Sequence, residues 1–438
     1  MIVFRTRRAI LPAAEQPADV VVDGEFVAAI EPYGRVSGDE LIDLDTLALL
    51  PGLVDTHVHV DEPGRTSWEG FATATRAAAA GGVTTIVDMP LNSVPPTTTV
   101  DHLEIKRAAA AGSVHVDTGF WGGATGDNVG ELAALYAAGV FGFKAFMAPS
   151  GVPEFPHLVG DELARTLAET ARLDALCLVH AEDPAVLAMS PAPAGRSYDG
   201  FLRSRPPEAE RAAVASLIQA ARQPAARVHV LHVSDAGVVP LLDAARRDGV
   251  RITAETCAHY LCLAAEDVRD GETAAKCCPP IRDAANRDAL WRVLGAGSIE
   301  LVVSDHSPCP PELKALESGD FGAAWGGISG LQLALPAVWT QAWLRGYGLT
   351  DVARWMAHGP ATLAGFASKG SLEVGKHADL VAFDPDAGFV VDPAELFHRH
   401  PVTAYAGRTL RGMVRGTWLR GERVDGRFPR GRLLQRGT

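Results

Sequence analysis

The run Asp55-Thr56-His57-Val58-His59 sets two imidazoles two positions apart within an apolar stretch. On an extended strand, residues i and i+2 share a face, so His57 and His59 point the same way. Two neutral imidazoles presented together suit a divalent transition metal, although an isolated pair fits solvated surface histidines equally well. Three further β-type runs end in comparable groups: Val179-His180-Ala181-Glu182, Leu231-His232-Val233-Ser234 and Ser304-Asp305-His306-Ser307. With fourteen histidines in 438 residues, chance explains this recurrence poorly. His229 precedes His232 by three, which predicts that it packs outward while His232 is the better ligand. Asp305 and His306 point apart, and the carboxylate is the more useful of the two, as metal ligand and as proton acceptor.

Lys144 stands inside the apolar run Val140-Phe141-Gly142-Phe143-Lys144-Ala145-Phe146-Met147, in a chain with six lysines against 34 arginines. Burial of an ammonium costs desolvation unless the charge is paired or lost. One resolution is an ion pair with an acidic neighbour. The other is a neutral amine, which can add carbon dioxide to give a carbamate. That group is a carboxylate whose two oxygens can bridge two metals. Four histidines, one aspartate and one bridging carboxylate would then complete a two-metal site with room for a bridging hydroxide.

These groups need elements to carry them. Eight β-type runs lie at 53–59, 84–89, 115–121, 141–147, 176–181, 228–233, 250–257 and 300–305, separated in several places by helix formers such as TATRAAAAGG and EAERAAVASLIQAAR. Eight strands alternating with crossover helices are what a (β/α)8 TIM barrel requires, and its active site lies at the carboxyl ends of the strands. A doubly wound open sheet is the alternative, because a strand count does not establish closure. Residues 1–50 and 370–438 instead carry short alternating strands and Gly turns, as in ADVVVDGEFVAAIEP and LRGMVRGTWLRGERV. They predict a small composite β-sandwich domain from both termini, flanking a metal-dependent hydrolase barrel at 51–369.

Composition narrows the partners. The chain is 47% hydrophobic and 21% charged, a globular profile that excludes wholesale disorder. Its formal charge of −13, with no basic run, argues against nucleic acid. No apolar run approaches the roughly 18 residues of a membrane span, and charges inside the first apolar stretch argue against a secretory leader. Cys177, Cys257, Cys262, Cys277, Cys278 and Cys309 form no CxxC pair, which predicts reduced thiols and a cytoplasmic protein.

The stretches PGLVDTHVHVDEPGRTSWEGF (51–71), MPLNSVPPTT (89–98), GFKAFM (142–147), AETCAHYL (254–261), KCCPPIRDAANR (276–287), VSDHSPCPPELK (303–314) and AWGGISGLQ (324–332) carry a resemblance. The sequence resembles the cyclic amidohydrolases of the amidohydrolase superfamily, and among them the allantoinases. The likeness covers nearly the whole chain, including the tail GKHADLVAFDP. It implies two divalent ions, zinc or alternatively cobalt, manganese or iron. His57, His59 and Asp305 would hold one ion, His180 and His232 the other, and carboxylated Lys144 would bridge them. The implied reaction is attack of metal-bound hydroxide on the hydantoin ring amide of allantoin, giving allantoate, with Asp305 as general base and then acid. The substrate is a small cyclic ureide, and a homo-oligomer, a tetramer by resemblance, is expected.

Departures from related groups bear on specificity. Dihydroorotases carry an Arg two residues after the HxH pair; here that position is Asp61, which is expected to repel a substrate carboxylate. Hydantoinases place a Tyr shortly after the bridging lysine, and the matching position here is Pro149. Both favour a neutral ring bearing a ureido group. Asn92, Cys278, Ser307 and Gly327 fall in loops at the expected mouth and are candidate substrate contacts, with loop turns and helix caps as the structural alternative. His259 and His306 are candidate partners of the ligands, and Arg65, Trp68 and Glu69 are expected to shape a loop over the pocket. A hydantoinase or dihydroorotase of relaxed specificity is the enzymatic alternative. A catalytically dead scaffold is the other, disfavoured because all six ligand positions are kept.

Overall fold

The computed structural model describes residues 1–437. The N-terminal segment forms β1 (Ile2–Ile10), β2 (Glu15–Asp23), β3 (Phe26–Pro32) and β4 (Glu40–Pro51). The central segment contributes β5 (Leu53–Val58), β6 (Val83–Asp88), β7 (Asp117–Phe120), β8 (Gly122–Gly123) and β9 (Phe143–Phe146). It continues with β10 (Leu176–His180), β11 (Arg227–Val230), β12 (Ile252–Cys257) and β13 (Leu301–Val303). The C-terminal segment adds β14 (Leu380–Val390), β15 (Thr409–Leu419) and β16 (Glu422–Arg423).

Strands β5 to β13 are the staves of a TIM barrel. β5, β6 and β7 pair in parallel, as do β8 to β13 in chain order. β7 and β8 are one stave interrupted at Trp121, whose indole is buried and donates to Thr56 O at 2.8 Å. The ring closes where Val58 bridges His306 in parallel and His59 N donates to His306 O at 2.7 Å. All eight predicted runs are therefore staves, within one to three residues at most ends. The barrel strands are buried on both faces, as a parallel sheet wrapped by helices must be. The helix Pro207–Arg222 shows why the crossovers form. Prolines open it, Glu208 and Glu210 lie in its first turn and Arg222 in its last, and Ala213, Val214, Leu217 and Ala221 bury one stripe against the staves.

The two ends of the chain meet in one seven-stranded, sandwich-like sheet ordered β16-β15-β14-β4-β1-β2-β3. It has its own apolar cluster, in which Phe4 meets Trp418 edge-on with ring centroids 5.1 Å apart. The chain then returns to the barrel. Residues 431–436 run beside the base of β7, with Thr118 N donating to Arg432 O and Leu434 N to Thr118 O. A buried charge cluster fastens this junction: Asp117 accepts from Lys369 Nζ at 2.8 Å and from Arg420 Nη1 at 2.6 Å. Lys369 also reaches Asp379 at 2.7 Å. The six cysteines are free thiols. Among the described residues, no helix is long and apolar enough to cross a membrane.

Candidate active site

The carboxyl ends of the staves open into a cavity of about 270 Å³. Its lining includes His57, His59, Lys144, His180, His232 and Asp305, and also Asn92, Cys278, Ser307 and Gly327. Six donor residues from five staves, separated by up to 248 positions in the chain, thus meet in one place because strand ends in a barrel converge. His57 and His59 sit at the end of β5, Lys144 on β9 and His180 at the end of β10. His232 and Asp305 follow β11 and β13 in left-handed backbone, with φ of 38° and 44°. Such conformations cost non-glycine residues about 1–3 kcal/mol each and persist where the surroundings enforce them.

The donor atoms fall into two groups. Asp305 Oδ1 lies 3.2 Å from His57 Nε2 and 3.7 Å from His59 Nε2. His180 Nδ1 lies 3.0 Å from His232 Nε2. The remaining nitrogens of two of these rings are tied to buried carboxylates: His57 Nδ1 to Glu255 at 2.5 Å and His180 Nε2 to Glu182 at 2.7 Å. A carboxylate on one ring nitrogen fixes the tautomer and leaves the other nitrogen's lone pair for a metal. Burial pushes the His59, His180 and His232 rings below their ordinary range, which keeps them neutral donors. Burial likewise raises the Asp305 carboxyl, with His57 and Lys144 opposing.

Lys144 is 1% exposed, and among the described residues its Nζ makes no hydrogen bond or ion pair; it lies 4.5 Å over the Phe146 ring. The ion-pair resolution is therefore not the one the fold adopts. Burial brings this amine down to about 8, against the opposing charges of Asp305 and Glu255. The donor set of four imidazoles, one carboxylate and one unpartnered buried amine fits a pair of divalent ions.

Two expectations need correction. His229 does not pack outward: its Nε2 meets Glu255 at 3.1 Å and its Nδ1 meets Thr253 at 2.7 Å. Strand alternation fails here because β11 ends at Val230 and His232 leaves it in a left-handed turn. Asp61 does not line the cavity. It is fully buried, and burial drives its carboxyl well up against the opposing effect of Asn92. His259, a candidate partner of the ligands or a packed histidine, is buried beside Asp305, with a ring nitrogen within 4.8 Å of its carboxylate, and burial lowers the ring to about 3.

The loop residues behave as anticipated in part. His306 turns away from Asp305 to Glu69 at 3.3 Å, while Arg65 stacks on Trp68, which packs edge-on against the cavity residue Trp325. Pro149 lines the cavity. Ser307 Oγ is occupied by Asp305 O and Ile328 N, and Gly327, at φ 149°, approaches Ser307 so closely that a Cβ would lie 2.1 Å from its carbonyl oxygen. Sequence reasoning did not single out Glu182, Glu255, Arg205 or Lys276. The first two had a signal, an acid two residues after a ligand histidine and an acid within an apolar strand; the last two did not.

A closed barrel with paired imidazole and carboxylate donors at its carboxyl end defines a metal-dependent hydrolase. Residues 48–424 match the amidohydrolase family. The chain is 56% identical to an allantoinase of Streptomyces avermitilis over 441 residues, covering 99% of this chain and 98% of that protein. It is 42% identical to an allantoinase of Saccharomyces cerevisiae, covering 95% and 93%. Among solved structures, an L-hydantoinase (dihydropyrimidinase) from Arthrobacter aurescens superposes with a TM-score of 0.89 at 30% identity, covering 99% and 97%. The chain belongs to the amidohydrolase family and, within it, to the allantoinases. Membership implies a binuclear metal centre.

Proposed function

We propose that this enzyme opens the hydantoin ring of allantoin at its ring amide, giving allantoate. The observation that carries the reading is the meeting of six metal-type donors, Lys144 unpartnered among them, on a cavity of about 270 Å³ in a chain 56% identical to an allantoinase. A cavity of that size suits a single small ring. His57, His59 and Asp305 would hold one ion, His180 and His232 the other, with Lys144 bridging as its carbamate. Bound zinc, or cobalt, manganese or iron, would polarise the ring carbonyl and make water a competent nucleophile at neutral pH.

The chain's own groups do the rest. Asp305 Oδ takes a proton from the attacking water as the new C–O bond forms, then returns it to the ring nitrogen as the C–N bond breaks. Glu255 and Glu182 hold the His57 and His180 rings in the tautomer that faces the cavity. Asn92, Cys278, Ser307 and Gly327 border the space for the ring and its substituent. Tetrameric assembly and a cytoplasmic location complete the reading.

Metal-loaded protein assayed on allantoin, dihydroorotate and a 5-substituted hydantoin tests it. Preference for allantoin, abolished by chelation and restored by metal, is the expected result; preference for another ring overturns the substrate assignment. Lys144→Ala should lose metal and turnover and regain both with a short carboxylic acid. Full activity without that acid refutes the bridging role.

A further inference from the structure

Five of the six lysines are buried, and comparing their partners isolates one. Lys106 reaches Asp88 and Met89 O, and Lys369 reaches Asp117 and Asp379. Lys314 Nζ spends its protons on the carbonyls of Lys276, Trp325 and Gly327. Lys144 belongs to the metal donors. Lys276, 8% exposed, donates only to Ala324 O at 2.5 Å and otherwise lies 5.5 Å over the Phe201 ring. Two of its three N–H donors are unmatched among the described residues, and it lines the active-site cavity.

Arg205 lines the same cavity. Its Nε and Nη2 grip Glu182 at 3.0 and 2.5 Å, which fixes the guanidinium plane, while Nη1 donates to none of the described residues. A rigid fork with one free edge and an ammonium with two unmatched donors make a donor-rich wall beside a metal site whose own reaction uses neither. Because Glu182 offsets the Arg205 charge, the wall carries about one net positive charge, suited to a carbonyl oxygen with strong dipole.

We infer that Arg205 and Lys276 set substrate specificity by donating to the carbonyl oxygen of the ring's ureido substituent. The inference rests on the allantoin reading above. A ring with an apolar substituent would leave both donors unpaired in a desolvated cavity. Sites built to hydrogen-bond a substrate group reject analogues lacking it far more strongly than apolar pockets reject a misfit. An unsubstituted hydantoin reacts at the same ring amide without using the wall.

The test compares kcat/KM for allantoin, unsubstituted hydantoin and dihydroorotate in wild type, Lys276→Met and Arg205→Gln, all metal-loaded, with metal content measured on each. The allantoin-to-hydantoin ratio should fall about 10–100-fold in each variant, chiefly through KM for allantoin, at wild-type metal content. Lys276→Met is the cleaner arm, since Arg205 also touches the Glu182–His180 pair. An unchanged ratio in Lys276→Met overturns the inference while wild-type allantoin turnover leaves the function standing. So does a ratio that falls only in Arg205→Gln together with lost metal, which would make Arg205 a positioning residue. Collapse of dihydroorotate turnover instead of allantoin would assign the wall to a carboxylate. Wild type that opens hydantoin but not allantoin removes the functional reading itself.

Discussion

Glu255 is the residue through which the metal donors can be weakened without touching one of them. It lies on β12, fully buried, and accepts from two rings at once, His57 Nδ1 at 2.5 Å and His229 Nε2 at 3.1 Å. Burial alone would raise its carboxyl, but His57 and His229 outweigh that and hold it at about 2. Glu255→Gln keeps the shape and removes the charge. The amide has one acceptor oxygen where two ring N–H groups need acceptors, so its NH2 must face one of them donor to donor. A hydrogen bond to a charged group contributes about 1.5–3 kcal/mol. Loss of a carboxylate behind a metal-binding histidine costs about 10–100-fold in metal affinity or activity, equivalent to about 1.4–2.7 kcal/mol. The two routes agree, so metal affinity of Glu255→Gln should fall about 10–100-fold, with kcat/KM falling in parallel at limiting metal. Titration against a graded chelator, with metal content read directly, measures the first; turnover at matched total metal measures the second. A folded Glu255→Gln protein that holds metal as tightly as wild type would refute the argument that His57 needs this acceptor.

Three further outcomes are expected. Asp117→Ala strands the buried Lys369 and Arg420 cations and should cost about 3–5 kcal/mol in urea unfolding. Burial raises the Asp117 carboxyl, but those two cations outweigh it and hold it low. Its contribution is therefore complete above about pH 4 and lost as pH falls through the lowered value. Asp117→Asn should flatten the acid limb of the stability profile, and an unaltered limb below about pH 4 would contradict this. Gly327→Ala drives a Cβ onto Ser307 O and must displace the cavity loop. At about 1–3 kcal/mol of overpacking, kcat/KM on allantoin should drop about tenfold or more at wild-type metal content; wild-type kinetics would mean that the loop takes no part in holding the ring.

The sequence by itself determined the staves and the donors. A run such as Leu53–Val58 is extended because it is β-branched and apolar, and a histidine at its end has few places to be except a strand terminus. His57, His59, His180, His232 and Asp305 were legible for that reason, and Lys144 because a lone amine in an apolar strand conflicts with its solvation. Period-two reasoning failed where the backbone left the strand: His229 was misplaced because β11 stops at Val230. Only the tertiary structure decided what each buried charge touches. Asp61 read as a residue that would repel a substrate carboxylate, yet its side chain lies outside the cavity lining, where burial drives its carboxyl up. Arg205 and Lys276 carry no distinguishing signal in the sequence and prove to be the partly unmatched donors of the cavity wall. Burial and pairing depend on segments such as Glu182 and Ala324 that are remote in sequence from the residues they meet, and local pattern carries no record of them.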